Sequence, residues 1–119
     1  MRRSIAAYLA DIIDACEHIV EATAGHDIDT YIENKTIRRS VERDFQIIGE
    51  GLIQLRDREP DTFARFKDGS MIIGFRHVLV HQYFDLDPRT VWDTISNDVA
   101  PLLALTLAVL AELGDPLNE

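Results

Sequence analysis

Residues 37–59 read IRRSVERDFQIIGEGLIQLRDRE, and the apolar members Ile37, Val41, Phe45, Ile48, Leu52 and Leu55 recur three or four apart. That interval keeps one stripe of a 3.6-residue helix turned toward a core for about five turns. The charged run at 56–59, followed by Pro60, closes the helix. Gly49 and Gly51 lie inside it, each costing roughly 1 kcal/mol relative to alanine, so a neighbouring helix is expected to approach closely there.

Toward the N-terminus, Ile5, Leu9, Ile12, Cys16, Ile19 and Thr23 keep the same interval from residue 3 to 24, and Gly25 ends the pattern. Residues 26–34 are short and polar, anchored only by Ile28, Tyr31 and Ile32, and read as a loop containing a helical turn. Toward the C-terminus, residues 61–66 form a further turn, and 68–70 make a break in which Asp68 or Ser70 can cap the next helix. This third helix is predicted over 71–83. It is apolar on several sides (Ile72, Ile73, Phe75, Val78, Leu79, Val80), the composition of the most buried member of a bundle. The fourth opens at Asp87 and Pro88, a capping residue and a first-turn proline, and carries the stripe Val91, Ile95, Val99, Leu102, Leu105, Val109 and Leu113. Gly114 and Pro116 end it, and Pro101, lacking an amide hydrogen, is expected to kink it halfway. With no two-residue alternation or hairpin signal, the prediction is all-α: an up-and-down four-helix bundle with an additional short helix, one domain over residues 1–119.

Composition narrows the function classes. The 119 residues include a single cysteine, Cys16, which excludes an internal disulfide and a multi-cysteine metal site and points to a reducing, cytoplasmic setting. Residues 99–111, the longest apolar run, are short of the roughly 20 that span a bilayer and are expected to be a buried helix, so no membrane partner is expected. Asp11 and Asp14 interrupt what would be a signal peptide's apolar region. A net charge of −9 disfavours general attraction to nucleic acid. Residues 35–67 depart from that average, with eight basic side chains against six acidic ones, so a polyanion would meet a local patch.

Chemistry concentrates where polar groups interrupt an apolar helix, at Phe75-Arg76-His77-Val78-Leu79-Val80-His81-Gln82-Tyr83-Phe84. A buried unpaired guanidinium is costly, so Arg76 requires an anion, a carboxylate partner or a wet cleft. Arg76 and Tyr83 share a helical face, whereas Arg76 and His81 diverge by roughly 140°. Either the helix ends near His81 and lets it swing back, or the two side chains meet residues of a second subunit across a shared groove.

The pattern Arg76-x-x-x-x-His81-x-Tyr83 resembles the signature of HepT-type proteins of the HEPN superfamily, and residues 40–50, residues 73–76, Val91-Trp92 and Ile95 are similar to its other blocks. The resemblance covers essentially the whole chain; His77 stands where asparagine is frequent, which leaves any role of that asparagine unassigned. It implies the toxin of a two-gene toxin–antitoxin module: a ribonuclease acting without a metal, its site built from two copies of the motif in a homodimer. Arg76 would clamp the phosphodiester and offset transition-state charge. His81 would take the ribose 2′-hydroxyl proton while the dimer mate protonates the leaving 5′-oxygen, giving a cyclic phosphate. The partner it implies is a minimal nucleotidyltransferase antitoxin that attaches adenylate to Tyr83, and no cofactor is implied.

Other residues carry weaker signals. His77 and His81, four apart, have the spacing of a metal-binding pair but lack a third ligand; His77 fits better as a hydrogen-bonding group in the groove. Arg39 and Arg43 share a flank that either faces solvent or lines the groove against RNA. His18 and His26 read as surface or helix-end residues. Two competing readings are a non-catalytic module that docks to the transferase and is modified by it, and a plain helical interaction domain.

Overall fold

Ser4 accepts a hydrogen bond from the Ala7 amide at 3.1 Å and opens α1 (Ile5–Thr23), and Gly25, at a positive φ of 79°, turns the chain away beyond its end. The computed structural model describes residues 2–81 and 86–114. The polar segment after Gly25 is a helix in its own right, α2 (Ile28–Glu33), rather than a loop with one turn. Its start is held reciprocally: the Asp27 carboxylate accepts from the Thr30 amide at 2.9 Å, and the Thr30 hydroxyl accepts from the Asp27 amide at 3.0 Å. Tyr31 anchors it, fully buried with its ring 5.3 Å from that of Trp92. Asn34 then caps α3 (Lys35–Arg58), accepting from the Ile37 amide at 3.0 Å.

After the short α4 (Pro60–Phe63) comes α5 (Gly69–His81), which begins two residues before the predicted start; its predicted last residues, Gln82 and Tyr83, lie outside the described residues. Asp87 caps α6 (Pro88–Thr94), which runs through a π-helical turn (Ile95–Val99) into α7 (Ala100–Glu112). The disruption expected from Pro101 takes this form: a wider turn just upstream, with the proline in the first turn of α7, where its missing amide matters least. No strand occurs among the described residues, and the four long helical units form an all-α bundle of 47 × 28 × 27 Å.

The centre of the bundle is α1 and α3. α1 packs against α3 on one side and α7 on the other, and α5 lies on the far side of α3. Leu9, Ile12, Cys16 and Ile19 of α1 meet Val41, Phe45, Ile48, Leu52 and Leu55 of α3, all inaccessible or nearly so. Both internal glycines serve these contacts: a Cβ on Gly51 would lie 2.8 Å from the Ile12 side chain, and one on Gly49 would lie 2.4 Å from Arg76 Cβ. The expectation for α5 is corrected. It buries only Gly69, Ile72, Phe75 and Leu79, leaving Met71 and Val80 exposed, because α3 covers one of its faces and none of the described residues covers the other.

The same applies to the last helix. α7 is apolar all round, yet Leu107 and Leu113 are exposed while Val99, Leu102 and Val109 face inward. Its buried threonine is satisfied internally, Thr106 Oγ1 donating to the Leu102 carbonyl at 2.6 Å. Joined to α6, it makes a 25-residue helical run, Pro88–Glu112, long and apolar enough to cross a bilayer by length and composition, not the 13-residue stretch counted from sequence. Its inward stripe is spent on packing against α1.

Candidate functional site

Arg76 takes its position from a missing side chain. Without a Cβ on Gly49, the Arg76 stem lies flat against α3, and its Nη2 reaches Glu50 Oε2 at 3.4 Å. Of the alternatives left open by the sequence, an anion, a carboxylate partner or a wet cleft, the described residues supply a carboxylate, Glu50, one residue along from the glycine. An ion pair this long and this exposed contributes at most about 1 kcal/mol, so an incoming phosphate can displace it. Arg76 Nε is inaccessible to solvent and has no hydrogen-bond partner among the described residues.

The guanidinium borders a cleft of about 260 Å³. α3 contributes Arg43, Gln46, Ile47 and Glu50, and the start of α1 contributes Tyr8 and Asp11, with Arg3 just before it. Arg43 Nη1 donates weakly to Gln46 Oε1 at 3.4 Å, leaving most of its donors free. Arg3 is held more firmly: Nη1 donates to Asp11 Oδ2 at 2.6 Å, and the guanidinium carbon sits 4.7 Å from the Tyr8 ring centroid. Three arginines thus face two carboxylates, a net positive lining in an acidic protein.

The histidines point elsewhere. Ser70, Gly74, His77 and His81 recur at helical spacing along the exposed side of α5, away from α3. His77 and His81 stack with ring centroids 4.5 Å apart, and the helix persists through His81, so His81 does not swing back to Arg76 within the chain. Around Gly74 the surface is open, with none of the described residues within 4 Å of where a Cβ would be. Of the predicted site residues, the structure brings Arg43 to Arg76 and His77 to His81. Arg39 is exposed and does not line the cleft, and Tyr83 lies outside the described residues.

A family model described as ribonuclease HepT-like matches residues 12–109, nearly the whole bundle. The chain belongs to the HepT-like family. Among similar proteins are two from Methanocaldococcus jannaschii, each named a "Putative RNase": one is 32% identical over 82% of this chain and 89% of its own length, the other 35% identical over 82% and 84%. A Thermococcus cleftensis protein named "Probable ribonuclease HepT" is 31% identical over 86% of this chain and 92% of its own length. No solved structure matches the chain significantly.

Sequence reasoning missed two features of this HepT-like bundle. Arg3 and Tyr8 carry no motif, and only the tertiary fold sets them beside Arg76. His18 is not idle: its Nδ1 is hydrogen-bonded to Asp44 Oδ2, joining α1 to α3, and that bond holds the imidazole above the usual histidine range. Asp44 is nearly buried, and burial pushes its carboxyl up although the His18 bond pulls it down. Cys16, beside this pair, is no nucleophile, since burial pushes its thiol up to about 12.

A second cleft of similar volume lies between α5 and α7, lined by Arg65, Asp68, Ile72, Asp98, Leu102 and Leu105. It is the poorer anion site. Arg65 is engaged by Glu112 through two hydrogen bonds at 2.5 and 2.9 Å, and the Asp98 carboxyl is held above its usual range by burial and by neighbouring Asp68. Among the described residues, no group of three or more His, Cys, Asp and Glu side chains is placed to hold a metal ion.

Proposed function

We propose that the chain is a toxin-type endoribonuclease that acts in the cytoplasm as a homodimer and cuts RNA without a metal. The observation that carries this reading is the division of labour on α5: a partly open guanidinium with an unpartnered Nε on one side, and two exposed imidazoles beside an uncovered glycine on the other. One chain keeps Arg76 and His81 apart. A second copy seated on the exposed side of α5 sets each chain's histidines against the other's and closes a shared groove. Arg76 then holds the scissile phosphodiester and offsets charge on the pentacoordinate phosphorus. His81 removes the 2′-hydroxyl proton, the 2′-oxygen attacks phosphorus, and the partner subunit's His81 protonates the departing 5′-oxygen. The products are a 2′,3′-cyclic phosphate and a free 5′-hydroxyl. The ribonuclease names of the relatives support the same reaction class.

Control comes from a nucleotidyltransferase partner that attaches adenylate to Tyr83, two residues beyond His81. An adenylate so attached would add negative charge and bulk that compete with the RNA phosphate. Purified protein incubated with RNA and excess chelator is expected to yield cyclic-phosphate ends, with Arg76→Ala and His81→Ala each slowing cleavage about 100-fold or more. Cleavage that depends on added divalent metal excludes this mechanism. Co-expression with the transferase is expected to add adenylate mass to the wild type and none to Tyr83→Phe.

The net charge of −9 favours a second reading, a non-catalytic module that only docks to the transferase and is modified by it. A wild type that gains adenylate yet cuts no RNA in any condition selects that reading.

A further inference from the structure

The cleft beside Arg76 holds more than a phosphate site requires. Arg76 and Arg43 suffice for a phosphate, and they occupy the α3–α5 side of the cleft. The opposite side is built from Arg3 and Tyr8, and its construction is specific. Asp11 fixes Arg3 through a 2.6 Å hydrogen bond, and the fixed guanidinium lies over the Tyr8 ring, 4.7 Å from its centroid, so that a base can stack on the guanidinium plane with the ring behind it. A second guanidinium, that of Arg58, stands 5.9 Å from the same ring. The Asp11 carboxylate is already engaged by Arg3, and Glu50, half-exposed and 3.4 Å from Arg76, can turn to solvent when a phosphate takes its place.

A cleft with phosphate donors on one side and a stacking wall on the other matches the two ends of a nucleotide. We propose that Arg3 and Tyr8 form a nucleobase-stacking subsite, which seats the base of the nucleotide whose phosphate is held by Arg43 and Arg76. Every base has a π-face, so the subsite selects single-stranded RNA whose bases are splayed out, and it tolerates any sequence. Duplex RNA, whose bases are stacked on one another, is excluded. The meaning for substrate choice rests on the ribonuclease reading; the binding site itself does not. Tyr8 and Arg3 act here as specificity-determining residues, distant from the proton transfers at His81.

The experiment is a calorimetric titration of the full chain with three probes: inorganic phosphate, ribose 5-phosphate and guanosine 5′-monophosphate. The nucleotide is expected to bind about tenfold tighter than ribose 5-phosphate, a gain within the range of one base stacked on an aromatic wall. Tyr8→Leu is expected to abolish that advantage while leaving ribose 5-phosphate affinity within about threefold of wild type, whereas Arg3→Gln, which also frees the Asp11 carboxylate, is expected to abolish it and to weaken ribose 5-phosphate as well. Tyr8→Phe, which keeps the ring, is expected to retain the advantage, and this rescue guards against a mere loss of packing around the half-buried tyrosine. Arg76→Ala is expected to weaken all three probes. Equal affinity for guanosine 5′-monophosphate and ribose 5-phosphate, or an advantage that survives Tyr8→Leu, overturns the subsite. A wild type that shows the tenfold advantage but cuts no RNA overturns the ribonuclease reading and leaves the subsite standing.

Discussion

Gly49 is the residue on which the site's geometry turns. A Cβ built there meets Arg76 Cβ at 2.4 Å, and because that atom is rooted in the α5 backbone it cannot rotate away; α5 has to retreat from α3. Gly51 offers a comparison on the same helix, since its Cβ would meet the Ile12 Cδ1 and Cγ1 atoms at 2.8 Å, where a side chain can change rotamer, and the Tyr8 carbonyl oxygen at 3.3 Å, where the backbone has to give by only a few tenths of an ångström. Overpacking costs about 1 to 3 kcal/mol, and alanine returns roughly 1 kcal/mol of helix propensity. Gly49→Ala is therefore expected to lose up to about 2 kcal/mol, lowering Tm by as much as several degrees, with Gly51→Ala the milder of the two. Thermal unfolding followed by circular dichroism gives the order. The consequence for function is separate: a displaced Arg76 stem carries the guanidinium off Glu50, so Gly49→Ala is expected to weaken phosphate binding, while Gly51→Ala leaves it unchanged. The reverse order in both measurements would mean that the approach of α5 to α3 does not position Arg76.

Between elements, the α1–α3 contact contains a titrating pair whose pH dependence has a defined sign. His18 is held above the usual histidine range by its bond to Asp44, so the folded chain binds this proton more tightly than the unfolded one. That stabilisation is complete below about pH 6.5 and is lost as pH rises through the raised value. Asp44 is also held above its usual range, by burial, so its ionisation removes stability in a separate window beginning near pH 4. Cys16, pushed up to about 12, does not titrate in either window. The imidazole is half-exposed, which limits the effect to about 1 kcal/mol. Tm is expected to fall between pH 6 and pH 9 in the wild type. His18→Ala is expected to start lower and to lack the part of that decline owed to the imidazole; an identical slope in the variant would remove the pair from the stability of the bundle. The pair also marks the limit of what the sequence discloses. Apolar spacing located α1, α3, α5 and the α6–α7 run, since each is an amphipathic stripe written in consecutive residues, and Asp87-Pro88 marked a boundary because capping is local. His18 with Asp44, and Tyr8 and Arg3 with Arg76, are contacts between distant segments, and no spacing announces them. Arg76 could be flagged as needing a partner, because an arginine among buried apolar residues is costly wherever it sits; that the partner is Glu50 required the close approach at Gly49.

At the scale of the whole molecule, two helices present apolar surface that the described residues leave uncovered. On α5 it comprises Met71 and Val80 around the stripe of Ser70, Gly74, His77 and His81; on α7 it is Leu107 and Leu113. The apolar composition of both helices reads as burial in the sequence, and it is equally satisfied by burial against a second copy, which explains why α5 looked like the core of the bundle. Under the proposed mechanism only the α5 face would serve the chemistry, because Arg76 and His81 point to different sides of one helix and would have to be completed from another chain. Gly74 lies on that face with open space before it, so a second α5 can approach closely there. Sedimentation of the wild type is therefore expected to give about twice the 13.5 kDa chain mass. Gly74→Glu inserts a charge where two copies meet, and is expected to give a folded monomer of unchanged helicity whose RNA cleavage is reduced about 100-fold or more, whereas Leu107→Glu on α7 leaves both mass and cleavage as they were. If Leu107→Glu instead dissociates the pair while Gly74→Glu does not, the copies meet through α7, the histidines of the two chains never face each other, and the shared groove is excluded.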